Sequence, residues 1–259
     1  MSPLIWLSNT LRNRLRNTLV GNVMQQMDKS TRPKSLRIVS ATRLTEKAFW
    51  KSSALGRSLK IWLTDPAISV DIRYLNKEGL AAVYNAHLQS ANEVDVLLFV
   101  HDDIWLDDPQ WLPKIMVALD RFDVVGVAGN TRISPNQPAW LFSKMKDGKF
   151  TWDSAYLSGA VAHGQLPKGQ ISVYGPTPAK CELLDGAFIA VRCCHAHRAG
   201  VLFDEQFDFH FYDMDFCRTA RRAGLSLGTW PISLTHQSSG SFGNPSWSTA
   251  YAQYAKKWR

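Results

Sequence analysis

The stretch VDVLLFV at residues 94–100 constrains the fold most strongly. An apolar run of that length, uninterrupted except at Asp95, leaves no polar face for solvent, as in a parallel strand covered by helices on both sides. The flanking segments alternate in period. Residues 35–41 (SLRIVSA) predict a strand and residues 46–58 a helix with Thr45 as N-cap, followed by a strand over 68–75. Residues 77–91 predict a helix with Leu80, Tyr84, Leu88 and Ala91 on one face. After the run, Asp108 and Pro109 are the expected N-cap and first residue of a helix to about residue 121, and DVVGVAG at 123–129 reads as a second buried strand. Strands alternating with helices predict an α/β fold, a single doubly wound mixed sheet with its ligand crevice at the carboxyl ends of the strands.

From residue 130 to 180 the pattern breaks into a Gly-, Pro- and aromatic-rich stretch holding Trp140, Trp152, Tyr156 and Tyr174. So long a segment is expected to carry short strands or helices of its own. Regular elements resume with a strand at 187–192, a short helix ending near Gly200, a helix over 214–223 stopped by Gly224, and a strand at 226–234. Residues 238–244 (SSGSFGN) have the composition of a mobile loop, and residues 247–258 close the chain as a helix. There is no internal repeat.

The net charge of +8 weighs against one class of function. Residues 1–37 hold seven bases against Asp28 alone and so carry +6 of it, leaving the rest nearly neutral. A nucleic-acid-binding domain spreads its bases over the folded body instead. Within the basic segment Leu4, Leu7, Leu11, Leu15, Leu19, Val23 and Met27 recur at helical spacing. That stripe either lies on an anionic membrane surface or packs against the domain or a partner chain. KSTRPK at 29–34 reads as a linker, so residues 1–34 are an appendage to a domain over 35–259. The four cysteines have no metal or disulfide spacing. With no run of 18 apolar residues and no ordinary signal peptide, this predicts a cytoplasmic protein, peripheral on the inner face of the cytoplasmic membrane if the first segment binds lipid.

Four places carry chemistry. His101, Asp102 and Asp103 end the buried strand, where hard oxygen ligands suit Mg²⁺ or Mn²⁺ on a diphosphate, or where an Asp pair caps a turn. Asp213 and Asp215 stand at a helix start, as caps or as a base reaching a crevice. Asp185 and Gly186 interrupt an apolar strand, as a turn or as a close approach of ligand to backbone. His236 ends a strand just before the SSGSFGN loop, as a structural histidine or a metal or phosphate contact.

In order, N-x-x-G-L at 76–80 with Tyr84 and Asn85, a strand ending in HDD, LDGAF, FDE-x-F and YDMDFCRTARRAG resemble the family 2 glycosyltransferases of the GT-A fold, in the branch whose metal motif reads HDD. The resemblance covers roughly residues 36–244. It implies that Asp103 holds a divalent cation, Mn²⁺ or Mg²⁺, on the donor diphosphate, with His236 at a further metal-ligand position and Asp102 facing ribose or metal. It implies Asp213 as the base that deprotonates the acceptor, with Asp215 in reserve. Thr42, Arg43 and Asn76 fall on the donor side, and Asp185 and Gly186 on the acceptor side; Trp140 is an acceptor-site residue if it stacks on a sugar face, and otherwise core. Two positions depart from the family pattern: His101 replaces the first Asp of D-x-D, and Tyr212 replaces the Glu beside the base. The implied activity is inverting, metal-dependent transfer of a sugar from a nucleotide donor, UDP-linked, to a hydroxyl of a glycan or lipid-linked acceptor in bacterial surface glycan synthesis. The donor half would be about 35–130 and the acceptor half about 131–259. The alternatives are a non-catalytic nucleotide- or glycan-binding module and a metal-dependent phosphoesterase using HDD and His236.

Overall fold

The computed structural model describes residues 35–90, 94–165, 169–238 and 240–259. The amphipathic segment expected over residues 1–34 lies outside the described residues. The chain runs β1 (Leu36–Ala41), α1 (Glu46–Ser52), α2 (Ala54–Trp62), β2 (Ile68–Arg73), α3 (Leu80–Gln89), β3 (Val96–Val100), β4 (Ile104–Leu106), α4 (Trp111–Leu119), β5 (Val124–Gly126) and β6 (Ala128–Asn130). A region of short strands follows: β7 (Phe142–Lys146), β8 (Lys149–Trp152), a 3₁₀ turn, β9 (Leu157–His163), β10 (Gln170–Gly175), β11 (Ala179–Cys181) and β12 (Leu183–Leu184). Then come β13 (Phe188–Arg192), α5 (Cys193–Ala199), α6 (Tyr212–Arg222), β14 (Leu227–Thr229), β15 (Leu234–His236) and α7 (Pro245–Lys257).

The expected α/β fold is present, with its strands divided between sheets. Seven strands form a mixed sheet in the order β11-β14-β5-β13-β3-β1-β2, and six more form a second around β12-β6-β9-β15-β4 with β10 on β9. β1 lies parallel to β2 and β3, while β13 runs antiparallel between β3 and β5. Every residue of β3 is buried, as its apolar run requires.

The chain crosses repeatedly from one sheet to the other. The strand expected over 123–129 divides around Val127 into β5 and β6, one in each sheet. The strand expected over 226–234 divides into β14 and β15. Pro231 lies between them, and having no N–H it cannot continue a ladder. Around residue 182 the chain likewise passes from β11 to β12.

Helix boundaries shift for local reasons. The single helix expected over 46–58 breaks at Ser53, whose hydroxyl accepts from the Gly56 N–H at 2.9 Å and caps α2, while Thr45 caps α1 as expected. Asp108 does not start α4: its carboxylate is taken by Lys114, the Gln110 N–H and the Ser233 N–H. α6 starts at Tyr212, two residues before the expected 214, and α3 spans only Leu80–Gln89, with Ala91 outside the described residues.

The core beside β3 is aromatic. Tyr84 of α3 stacks on Phe99 at 4.5 Å between ring centroids, and Phe203 stacks on Phe216 of α6 at 4.1 Å. Buried Asn85 clamps the Phe203 backbone from both sides, accepting from its N–H and donating to its carbonyl. Tyr84 also meets Tyr212 of α6 edge to face at 5.9 Å, so these contacts tie α3 to α6. No helix among the described residues is long and apolar enough to cross a membrane.

Candidate active site

The site forms where β3 leaves its sheet. β4 pairs antiparallel with β15, and the Gln237 N–H donates to the Asp103 carbonyl at 3.0 Å, which brings Asp103 against His236. His236 Nε2 lies 3.2 Å from Asp103 Oδ2. His101, Asp103 and His236 each offer a ligand atom, all within 4.8 Å of one another. Asp102 points elsewhere and accepts from the Thr42 hydroxyl. The two carboxylates therefore separate, and Thr42 acts as the support of Asp102.

Burial raises the carboxyl of Asp103, but the hydrogen bond and charge of His236 outweigh it and hold Asp103 down at about 2. Burial likewise works against the imidazolium of His236, yet the Asp103 partner pushes its pKa up. For His101 burial prevails and the imidazole is held neutral-leaning, below its ordinary value.

The donor set fits a divalent cation. Asp103 Oδ1 is buried and finds no hydrogen-bond partner in the protein, although a buried carboxylate oxygen ordinarily has one. One ionised carboxylate and two imidazoles make a mixed oxygen and nitrogen set of the kind divalent first-row ions take. The sequence pairs Asp103 with His236, and the structure adds His101. A turn brings that third ligand in: the Ile104 N–H donates to the His101 carbonyl at 3.3 Å, which folds residues 101–104 and sets His101 beside Asp103.

Asp213 sits at the start of α6, on the same cleft. Phe211, just before it, adopts a left-handed backbone with φ of 66°, a strained conformation for a bulky residue. Its ring stacks on Tyr254 of α7 at 5.1 Å. Asp213 Oδ2 accepts from the Gly186 N–H at 3.0 Å and Oδ1 from the Met214 N–H at 2.8 Å. Burial first, and the neighbouring Asp185 carboxylate second, push its pKa up to about 7.

Asp215 is placed differently. It is fully buried, held by Lys257 Nζ at 2.7 Å and by the Trp258 indole N–H at 2.7 Å, and does not line the cleft. It anchors the C-terminal helix. Asp215→Asn is expected to lower thermal stability by about 1.5–3 kcal/mol, the range for hydrogen bonds to a charged group, with turnover per folded molecule unchanged. Thermal melts alongside rate measurements check this.

The cleft has a volume of about 340 Å³. Trp140 and Tyr174 meet edge to face at 5.1 Å and form one wall, with Phe209, Phe242 and Trp247 elsewhere in the lining. His163, to which sequence reasoning assigned no role, links this wall to the metal-ligand set. Its Nε2 lies 3.1 Å from the Tyr174 hydroxyl, and its ring centroid is 5.9 Å from that of His236. Asp185 and Gly186 also line the cleft, and so do Ser238, Gly240, Ser241 and Phe242 of the glycine-rich loop. Among the described residues the lining contains no Lys or Arg. Three expected donor contacts do not join it: Thr42 is buried against Asp102, Arg43 is exposed, and the Asn76 side chain is spent on a local turn with the Glu78 backbone.

Among solved structures, A197 from STIV matches with a TM-score of 0.42 and 10% identity, over 81% of this chain and 97% of its own. GalNAc-T7, crystallised with UDP, GalNAc and Mn²⁺, matches with a TM-score of 0.45 and 13% identity over 82% of this chain, which spans 45% of the length of that protein. No curated protein matches the sequence. A family model described as glycosyltransferase-like matches residues 66–239, more than half of the chain, and includes His101, Asp103, Asp213 and His236. The chain therefore belongs to the glycosyltransferase-like family and is, by that membership, a transferase.

Proposed function

We propose that this protein transfers a sugar from a nucleoside diphosphate donor, UDP-linked, to an acceptor hydroxyl with inversion at the anomeric carbon. The observation that carries the reading is that a His-Asp-His donor set and a carboxylate with a pKa near 7 face one cleft. His101, Asp103 and His236 would hold the divalent cation, Mn²⁺ or Mg²⁺, which as a Lewis acid offsets the charge building on the departing diphosphate. Asp102, braced by Thr42, is the residue beside the cation set for the donor's ribose. Asp213 takes the acceptor's proton as its oxygen attacks, and a single base opposite the leaving group implies direct displacement. The Trp140–Tyr174 wall offers an aromatic face to an acceptor sugar. In this reading residues 35–130 supply most of the donor side and 131–259 the acceptor side, with His236 crossing over.

The test is calorimetric titration with UDP. Heat of binding is expected with Mn²⁺ and not in its absence, and equal binding without the metal overturns the reading. A pH prediction follows from Asp213. The base acts only when ionised, so kcat/KM, which reports the free enzyme, is expected to rise with pH through a midpoint near the Asp213 pKa of about 7. A profile flat from pH 5 to 8 contradicts the assignment.

The acceptor setting we infer is a bacterial surface glycan or a lipid-linked precursor, reached through the basic residues 1–34 at an anionic membrane. Deleting residues 1–30 is expected to abolish cosedimentation with anionic liposomes. No observation favours a phosphoesterase: among the described residues His101, Asp103 and His236 are the one group of side chains placed to hold a metal ion, fewer ligands than a two-metal hydrolase uses.

A further inference from the structure

The geometry points to Tyr212 as the residue that sets the tautomer of His101 and so prepares it as a metal ligand through Nδ1. This rests on the cation site proposed above and concerns how the protein builds it.

The Tyr212 hydroxyl lies 2.8 Å from the Gly186 carbonyl oxygen and 2.8 Å from His101 Nε2. A hydroxyl has one proton to give, and a carbonyl oxygen can only accept. The proton therefore goes to Gly186, and the hydroxyl must accept from His101, which places a proton on Nε2. A neutral imidazole protonated at Nε2 has its lone pair on Nδ1, and only an unprotonated ring nitrogen binds a metal ion.

The surroundings hold this arrangement in place. Tyr212 is 2% exposed and packs on the rings of Tyr84 and Phe203 at 5.9 Å each. Position 186 has no room for a side chain: a Cβ there would lie 2.5 Å from the Tyr212 oxygen. The absence of a side chain lets the hydroxyl reach the carbonyl. Gly186 is also the residue whose N–H holds Asp213. One glycine thus braces the base through its N–H and the His101 ligand through its carbonyl and Tyr212, which gives the Tyr at this position a role of its own.

Tyr212 is a positioning residue, and its test must separate that role from packing. Mn²⁺ binding is measured by the electron paramagnetic resonance signal of the free ion, in the presence of UDP, for the wild type, Tyr212→Phe, His101→Ala and the double variant. Tyr212→Phe keeps the ring and removes the hydroxyl. It is expected to weaken Mn²⁺ about 10- to 100-fold, the usual effect of losing a partner that orients a ligand. In the His101→Ala background the same change is expected to have no further effect, because its target is gone. Wild-type affinity in Tyr212→Phe overturns the inference, as do independent, additive losses. If the wild type itself binds no Mn²⁺, the proposed cation site fails and the inference with it, a distinct outcome. Should Tyr212→Phe not fold, nitrogen-15 spectra of histidine-labelled wild-type protein decide the question directly. Nε2–H at His101 is the expected tautomer, and Nδ1–H overturns it.

Discussion

Asp213→Asn is expected to lower the rate of sugar transfer by about 10² to 10⁴-fold, the usual contribution of a positioned base, while Mn²⁺-dependent UDP binding stays at its wild-type level. The split follows from where the side chain sits. Its two oxygens accept from Gly186 and Met214 backbone N–H groups, and it makes no bond to His101, Asp103 or His236. The substitution therefore removes the proton acceptor and leaves the cation set intact. Asn can still accept one of the two backbone hydrogen bonds, so the start of α6 is held. Steady-state kinetics beside calorimetry measure both quantities, and turnover retained by the variant would remove Asp213 from the mechanism. Asp215→Asn serves as the control two residues away.

Asp103→Ala is expected to act at the other end of the cleft and to abolish measurable UDP binding along with transfer. Asp103 is the one carboxylate in the three-residue set, and the pKa of about 2 keeps it ionised throughout the physiological range. Without it two imidazoles remain, and the loss in Mn²⁺ affinity is expected to exceed the roughly 100-fold upper range for residues that merely orient a ligand. Among the described residues no Lys or Arg lines the cleft to take the diphosphate in the cation's place. In a donor site with an arginine clamp, UDP would survive loss of the metal; here donor affinity and metal affinity are expected to fall together. UDP bound by Asp103→Ala as tightly as by the wild type would show that another group carries the diphosphate.

The two carboxylates at the start of α6 show how far sequence reasoning reaches. Two residues are about 200° apart around a helix axis, so Asp213 and Asp215 must face nearly opposite directions, and only one can reach a given cleft. Which one does is decided by Lys257 and Trp258, more than forty residues later, which close over Asp215. No local pattern carries that information. The HDD turn is the opposite case: its place at the end of an all-buried strand follows from the apolar run, and a tight turn leaves His101 and Asp103 close together. Thr42 and Asn76 sit where the sequence places them, at the end of β1 and before α3, yet their side chains bind Asp102 and the Glu78 backbone.

The sheets divide along the same line. Continuous burial and alternating periods are local properties, so β1, β2, β3 and the helices between them are legible from the residues themselves. The split of DVVGVAG into β5 and β6 is not, because both halves are equally apolar and their partners lie elsewhere in the chain: β13 and β14 for β5, β9 and β12 for β6. By itself the sequence determined an α/β chain with its chemistry at the end of a buried strand and its excess charge in the first 37 residues. Tertiary structure decided which strands curl into a second sheet and which carboxylate faces the cleft. It also joined Gly186 and Tyr212 to His101. The reason is physical: apolar period acts between neighbours in sequence, whereas hydrogen-bond partners and ligand sets are chosen by contacts between residues tens of positions apart.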